Sequence, residues 1–283
     1  MDRDERRALT KELALEAGYR FIKFTTNSEH IHYGLFESDI PADYAHLKQA
    51  QDRYLERIVA MVPPGSKRIL DVGCGAGRTA EALLDAGHTV DCVAPGQTLA
   101  AIAAGRLGDR ATIYRTKFED AAIPGRYDLV LFSESFQYIP MDVAVAKSIA
   151  LLNPGGHIIV SDFFRRADRQ STIRGGHGYD DWRAVYTRYP LDVAVENDIT
   201  AAAAPLHDIV EGLGNEVVRP LYRNARIAAA ARWPAFWRIG GRFLERRVDR
   251  LLDKRFSGKR TGAEFMKAKI YKMYLFKLRP SAA

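Results

Sequence analysis

From Pro63 to Phe164 the chain repeats one unit: a short apolar run rich in β-branched residues, a turn, then an amphipathic stretch. RILDV leads into TAEALLDAG and TVDCVA into GQTLAAIAAGRL; ATIYRT and YDLVLFS follow, then MDVAVAKSIALL and GGHIIVSDFF. Apolar strands alternating with helices predict a parallel sheet covered on both faces, an α/β doubly wound architecture. Helical spacing precedes it over residues 2–24 (Leu9, Leu13, Ala17) and 42–62 (Leu47, Tyr54, Leu55, Ile58, Met61), stopped by Pro63, Pro64 and Gly65. After Phe164 comes the polar RRADRQSTIRGGHGYDD, then a helix candidate DWRAVYTRY and a strand-like LDVAVENDIT, where Val193 and Val195 alternate with Ala194 and Glu196. KIYKMYLFKLRP also alternates as a strand, so the helical stretch before it reads as an insertion between two late strands.

With 283 residues, 47% of them hydrophobic, the chain buries a full core without staples. Its two cysteines, Cys74 and Cys92, exclude a disulfide framework and a four-thiolate zinc site, and fit a reducing, cytoplasmic setting. The charged start MDRDERRALTKELALE lacks the apolar core of a secretory signal. The net charge of +7 is unevenly spread: residues 219–283 hold 18 Lys/Arg against 4 Asp/Glu, or +14, and the rest carries −7. Function must account for that local excess.

The strongest single motif is Ile69-Leu70-Asp71-Val72-Gly73-Cys74-Gly75-Ala76-Gly77, where an apolar strand turns into a helix. Alternating glycines let the backbone turn tightly and a ligand approach without a Cβ in the way. The third glycine comes two residues after the second, unlike the dinucleotide fingerprint. The loop resembles motif I of the class I S-adenosylmethionine (SAM) methyltransferases, D-x-G-x-G-x-G, and the resemblance runs from about residue 60 to 165. It implies a Rossmann-like, seven-strand sheet with an N-terminal helical lid over residues 1–62 and a cofactor-binding core over 63–200. A basic helical cap insertion over 201–265 and a final strand and tail over 266–283 complete the expected organisation.

The resemblance also implies site residues. Gly73 and Gly75 would lie against the methionine part of SAM, Asp71 would orient the loop and the amino group, and Ser133 in YDLVLFSESFQYIP would offer backbone to that amino group. NPGGHIIVSD is similar to the family's turn before the fifth strand. Where the family usually has an acid after the second strand to hold the ribose, this chain has Ala94, and Gln97 is the expected substitute. Lys117 stands where an acid often lies beside adenine, which leaves the Phe118 backbone and the Glu119 side chain to hold the base. His30-Ile31-His32-Tyr33-Gly34 is similar to a segment that folds over the cofactor in small-molecule methyltransferases, so Tyr33, with His32, is expected at the cofactor. No cluster has metal-ligand spacing, and no metal is expected.

Tyr138 replaces a histidine that often lines the acceptor site, and His177 in the Gly175-Gly176-His177-Gly178 loop is the alternative base. Three readings compete for the basic segment: a solvated face over a packed cap, attachment to an anionic membrane surface on the inner side, and nucleic-acid binding, which ranks last because no RNA or DNA module is present. The function that follows is SAM-dependent methyl transfer, yielding S-adenosyl-L-homocysteine, to a small-molecule acceptor of acidic, phosphorylated or lipid-like chemistry. The rival readings are a non-catalytic nucleoside-binding protein and an RNA methyltransferase using the basic segment. Oxygen, nitrogen or carbon as the methylated atom, and the oligomeric state, stay open.

Overall fold

A computed structural model describes residues 3–167, 171–237 and 241–280. Seven strands form one sheet in the order β3-β2-β1-β4-β5-β7-β6. They are β1 Arg68–Val72, β2 Thr89–Val93, β3 Ala111–Tyr114, β4 Tyr127–Ser133, β5 Leu152–Arg165, β6 Leu191–Asp198 and β7 Lys269–Leu278. The first five run parallel, whereas β7 pairs antiparallel with both β5 and β6. The expected α/β, mostly parallel, seven-strand sheet is therefore the observed one.

Both faces are covered, which is why the strands are apolar on both sides. Along β4, Leu129 and Leu131 enter one core and Val130 and Phe132 the other. Helices α2 Leu47–Ala60, α3 Arg78–Asp85 and α4 Gln97–Leu107 cover the first face through Tyr54, Ile58, Leu83, Ala100 and Ala103. Helices α5 Met141–Leu151 and α6 Tyr179–Tyr186 cover the second through Val145, Leu151, Trp182 and Val185. The edge strand β6 shifts register between Val193 and Val195, and Val193 is exposed rather than regularly alternating. Such an irregularity discourages a sheet edge from pairing with another chain.

Helix α1 Arg3–Thr26 precedes the sheet, and α7 Thr200–Ala203, α8 Pro205–Leu213, α9 Arg219–Arg232, α10 Pro234–Phe236, α11 Arg242–Arg255 and α12 Gly262–Ala268 lie between β6 and β7. The basic segment is thus inserted between the two late strands. Within it Leu244 and Leu251 are exposed, and no residue of α9 is buried. A π-helical turn, Gly214–Val218, joins α8 to α9, with Gly214 set so close to Phe256 that a side chain there would overlap the ring. No helix among the described residues is long and apolar enough to cross a membrane.

Trp182 stacks on Phe164 at 5.8 Å and meets the edges of Phe136 and Phe276, so it locks α6 onto the second face. Trp182→Ala is expected to lower unfolding stability by about 3–5 kcal/mol, read by urea denaturation.

Candidate active site

The carboxyl ends of β1 and β4 build the site. Asp71 is buried in β1, and its Oδ2 has no hydrogen-bond partner. Burial alone raises its pKa to about 7. Beyond it Gly73 (φ +84°) donates its N–H to Val93 O at 2.8 Å, and a side chain at 73 would collide with Ser135. At Gly75 (φ +56°) a Cβ would stand 2.7 Å from Ile31 Cδ1. Both glycines are thus fixed by positive φ and by close cover. The loop ends at the first turn of α3, whose backbone dipole is positive there.

The segment after α1 closes over this loop. Arg106 from α4 donates to Ala76 O and pairs with Glu81 of α3 and with Glu29 of the segment. Glu29 also meets Lys23 at 2.5 Å, and the Lys23 bond, with Arg106 beside it, holds its pKa down at about 2 despite some burial. Tyr19 packs on Ala76 and Leu99. His32 stacks on Tyr54, bonds the Tyr33 carbonyl at 2.6 Å and meets His30, which reaches Asp52; burial and the neighbouring His30 push its pKa down to about 3. His32 is therefore a neutral strut under the segment.

Tyr33 packs in an aromatic cluster with Phe163, Phe265, Tyr271 and His207, and its hydroxyl meets His207 Nε2 at 3.2 Å. The cap therefore contributes rings to this cluster through α8 and α12. Beside Tyr33 and Tyr271 sits Glu134, directly after β4, in the left-handed conformation (φ +55°). Its Oε1 accepts from Tyr33 N at 2.7 Å and Tyr271 OH at 2.6 Å. Burial raises its pKa to about 8 against those two bonds, with the charge of Asp162 adding to the rise. Asp162, fully buried, accepts from the backbone and side-chain nitrogens of Gln137 and rises to about 7 for the same desolvation reason. Tyr54 OH joins Ser133 Oγ at 3.0 Å to Ser161 Oγ at 2.7 Å behind them.

The His177 Nε2 faces the carbonyls of Phe136 and Ile139 at 3.2 and 3.0 Å, so it carries a proton toward them and offers no lone pair there. Its loop is pinned, with Lys269 donating to Gly175 O and Arg165 to Gly176 O. Tyr138, 60% exposed, stands on the 3-10 turn beyond Gln137, within electrostatic reach of Asp162 and Glu134. The Phe118 ring belongs to the core against Phe132, and Glu119 receives Lys147 on its backbone carbonyl. Gln97 is exposed at the start of α4, and the carboxylate at that corner comes from α1, where Glu12 accepts from Thr98 N at 2.5 Å. Sequence reasoning missed Glu134, although SESFQY contains it: nothing local marks a residue whose partners lie 101 and 137 positions away. Among the described residues no group of three or more His, Cys, Asp or Glu could hold a metal.

A parallel sheet with an antiparallel seventh strand, a glycine loop after β1 and an unpartnered acid beneath it define the class I methyltransferase fold. The family described as a methyltransferase domain matches residues 44–196, more than half of the chain, and the chain belongs to that family. A ubiquinone biosynthesis O-methyltransferase from Vibrio parahaemolyticus serotype O3:K6 is 35% identical over 105 residues, covering 35% of this chain and 45% of that protein. The chain thus spans about half the length of that curated relative. Among solved structures, the cyclase SpnF superposes with a TM-score of 0.65 at 18% identity, covering 97% of this chain and 93% of that one. A geranyl diphosphate C-methyltransferase from Streptomyces coelicolor A3(2), solved with S-adenosyl-L-homocysteine, superposes with a TM-score of 0.64 at 13% identity over 92% of both chains.

SAM, the cofactor of this class, fits the residues present. The orphaned Asp71 oxygen suits an ammonium group, and the glycine loop leaves backbone rather than side chains facing the strand end. Only ionised Asp71 pairs with an ammonium, and its pKa is about 7, so a proton must leave below that pH. SAM affinity by isothermal titration is expected to be about tenfold weaker at pH 6 than at pH 8, and Asp71→Asn to bind weakly at both with the pH dependence gone.

Proposed function

We propose that this protein transfers a methyl group from SAM to a small-molecule acceptor held beside the aromatic cluster of Tyr33, Phe163, Phe265, Tyr271 and His207. The observation that carries the reading is Glu134: a carboxylate directly after β4, fixed by two hydrogen bonds and raised to about 8. SAM supplies an already activated methyl on a sulfonium. The protein's own residues must hold both partners, exclude water and remove a proton from the acceptor. Asp71 holds the amino end. Glu12 takes the place expected of Gln97 at the ribose side, since its carboxylate already reaches the first turn of α4. Glu134 receives the proton of a hydroxyl or ammonium acceptor, and Asp162 keeps Glu134 basic enough to do so.

The acceptor carries an anionic group. Arg260 has a buried Nε without a partner, lies within electrostatic reach of Tyr33 and His207, and lines an open cavity of about 980 Å3 with Arg174, Lys254, Lys259 and Lys267. Asp253 and Glu264 are the acids on that lining, so cations outnumber them. The ubiquinone-pathway relative acts on oxygen by its name, which suits an ionisable nucleophile, and the geranyl diphosphate neighbour methylates carbon of a diphosphate, which suits an anionic acceptor.

Titration of the chain with SAM, followed by a methylation screen of acidic small molecules, tests the reading; absence of heat on SAM addition would sink it, and a labelled RNA would replace the acceptor class. Once an acceptor is found, kcat is expected to rise with pH through about 8, because Glu134 accepts a proton only when ionised. Glu134→Gln is expected to lower kcat by roughly 100-fold or more and erase that rise. Asp162→Asn removes a neighbouring charge and is expected to move the rise to lower pH.

A further inference from the structure

The α9–α11 hairpin presents a surface for which the methyl-transfer reading has no use. Its two helices are joined by ion pairs: Arg226 of α9 holds Glu245 and Asp249 of α11, and Arg219 holds Asp253. Those are the three acids of α11, and α9 has none. The outer side of α11 shows cations, Arg246, Arg247, Arg250 and Lys254, between exposed Phe243, Leu244 and Leu251, with the paired Asp253 at its border. The outer side of α9 adds Leu221, at 64% exposure, and Ile227, and its end adds Trp233, at 60%. Partly covered residues, Tyr222 and Arg226 on α9 and Val248, Asp249 and Leu252 on α11, mark the seam between the helices.

We infer that this hairpin docks the protein on an anionic lipid bilayer. Arginine and lysine stems lie along apolar surface while their heads reach phosphates, and Trp, Phe and Leu enter the boundary between headgroups and acyl chains. A solvated cationic face would have no reason to leave large apolar side chains between its charges. A nucleic-acid groove would favour aromatics over exposed leucines and isoleucine. Pairing Glu245 and Asp249 with Arg226 and Asp253 with Arg219 offsets their charge within the hairpin and leaves the cations in excess, which is the complement an anionic headgroup layer requires. The hairpin is fastened to the cap at its base, where Gly258 N donates to Glu211, Gly262 N to Asp208 and Arg219 to Phe256 O. Docking would therefore orient the cap relative to the membrane. The inference stands apart from the identity of the acceptor.

The test is co-sedimentation of the full chain with vesicles of phosphatidylcholine alone or with phosphatidylserine added. Partition onto the anionic vesicles is expected to be at least about tenfold stronger and to fall as salt is raised. The triple variant Arg246→Glu, Arg247→Glu, Arg250→Glu is expected to lose at least about tenfold of that partition, and Leu221→Ser with Phe243→Ser and Leu251→Ser to lose it too while keeping the salt dependence. Unchanged SAM titration and circular dichroism show that each variant is folded. Equal binding to neutral and anionic vesicles, or binding to neither, overturns the inference. So does a wild-type dimer in sedimentation equilibrium that the serine variant dissociates, which would give the surface to a second copy. RNA held more tightly than vesicles at the same salt would give it to nucleic acid and overturn the inference as well.

Discussion

One carboxylate oxygen, Oε1 of Glu134, joins three distant parts of the chain. It accepts from the backbone of Tyr33 in the N-terminal segment and from the hydroxyl of Tyr271 in β7, while Glu134 itself extends β4. Its left-handed backbone costs on the order of 1–3 kcal/mol for a residue with a side chain, and persists because both bonds and the Glu134 N–H to Ser161 O bond depend on it. Tyr54 extends the linkage, touching Ser133, Ser161 and the Tyr271 hydroxyl from α2. Losing the orientation of that one carboxylate would loosen the covering segment and its link to β7 together.

The same region concentrates negative charge under desolvation. Asp71, Glu134 and Asp162 are all raised toward neutrality or above by burial, and Glu134 and Asp162 strain against each other. Three such buried acids are poorly matched to an anion and well matched to a cation, which is what a sulfonium with an ammonium tail presents. Cations instead gather near His207, where Arg260 and Arg255 of the cap and Lys269 of β7 lie within electrostatic reach. The segment after α1 is held at its margin through Glu29, by half-exposed Lys23 in a pair of a kind worth only about 0.2–1 kcal/mol and by the more buried Arg106, which also holds Glu81 and is the firmer tie.

How much of this could be read from the amino acids follows from how far each interaction reaches along the chain. β1, β2 and β4 are legible because strands covered on both faces must be apolar at every position, and the glycine loop because positive φ demands glycine within a few residues. β6 is less so: as an edge strand it is solvated along most of its length, so the alternation expected of Val193 and Val195 is broken by a register shift. The roles of Glu134, Glu12 and His177 escape local reading. Glu12 reaches across to Thr98, and His177 spends its nitrogen on carbonyls around residue 136, contacts fixed only once the sheet has assembled. Gly75 shows the mixed case, its φ legible and its cover by Ile31 not.

The charge distribution acquires a physical sense only when the helices pair. A helix with the sequence RFLERRVDRLLDKR is nearly balanced between solubility and adhesion when alone, since acids every four residues interrupt its basic face. Pairing with α9 neutralises Glu245, Asp249 and Asp253 against arginines, and the outer side becomes cationic in excess with apolar residues between. Folding therefore sorts the charge that the sequence merely concentrates. The acids fix the hairpin, and what remains outside is free to meet an opposite charge. Because the hairpin's base is tied through Glu211 and Asp208 to α8, and α8 carries His207 to the Tyr33 hydroxyl, a force on the hairpin's outer side has a direct structural path to the aromatic cluster around Tyr33.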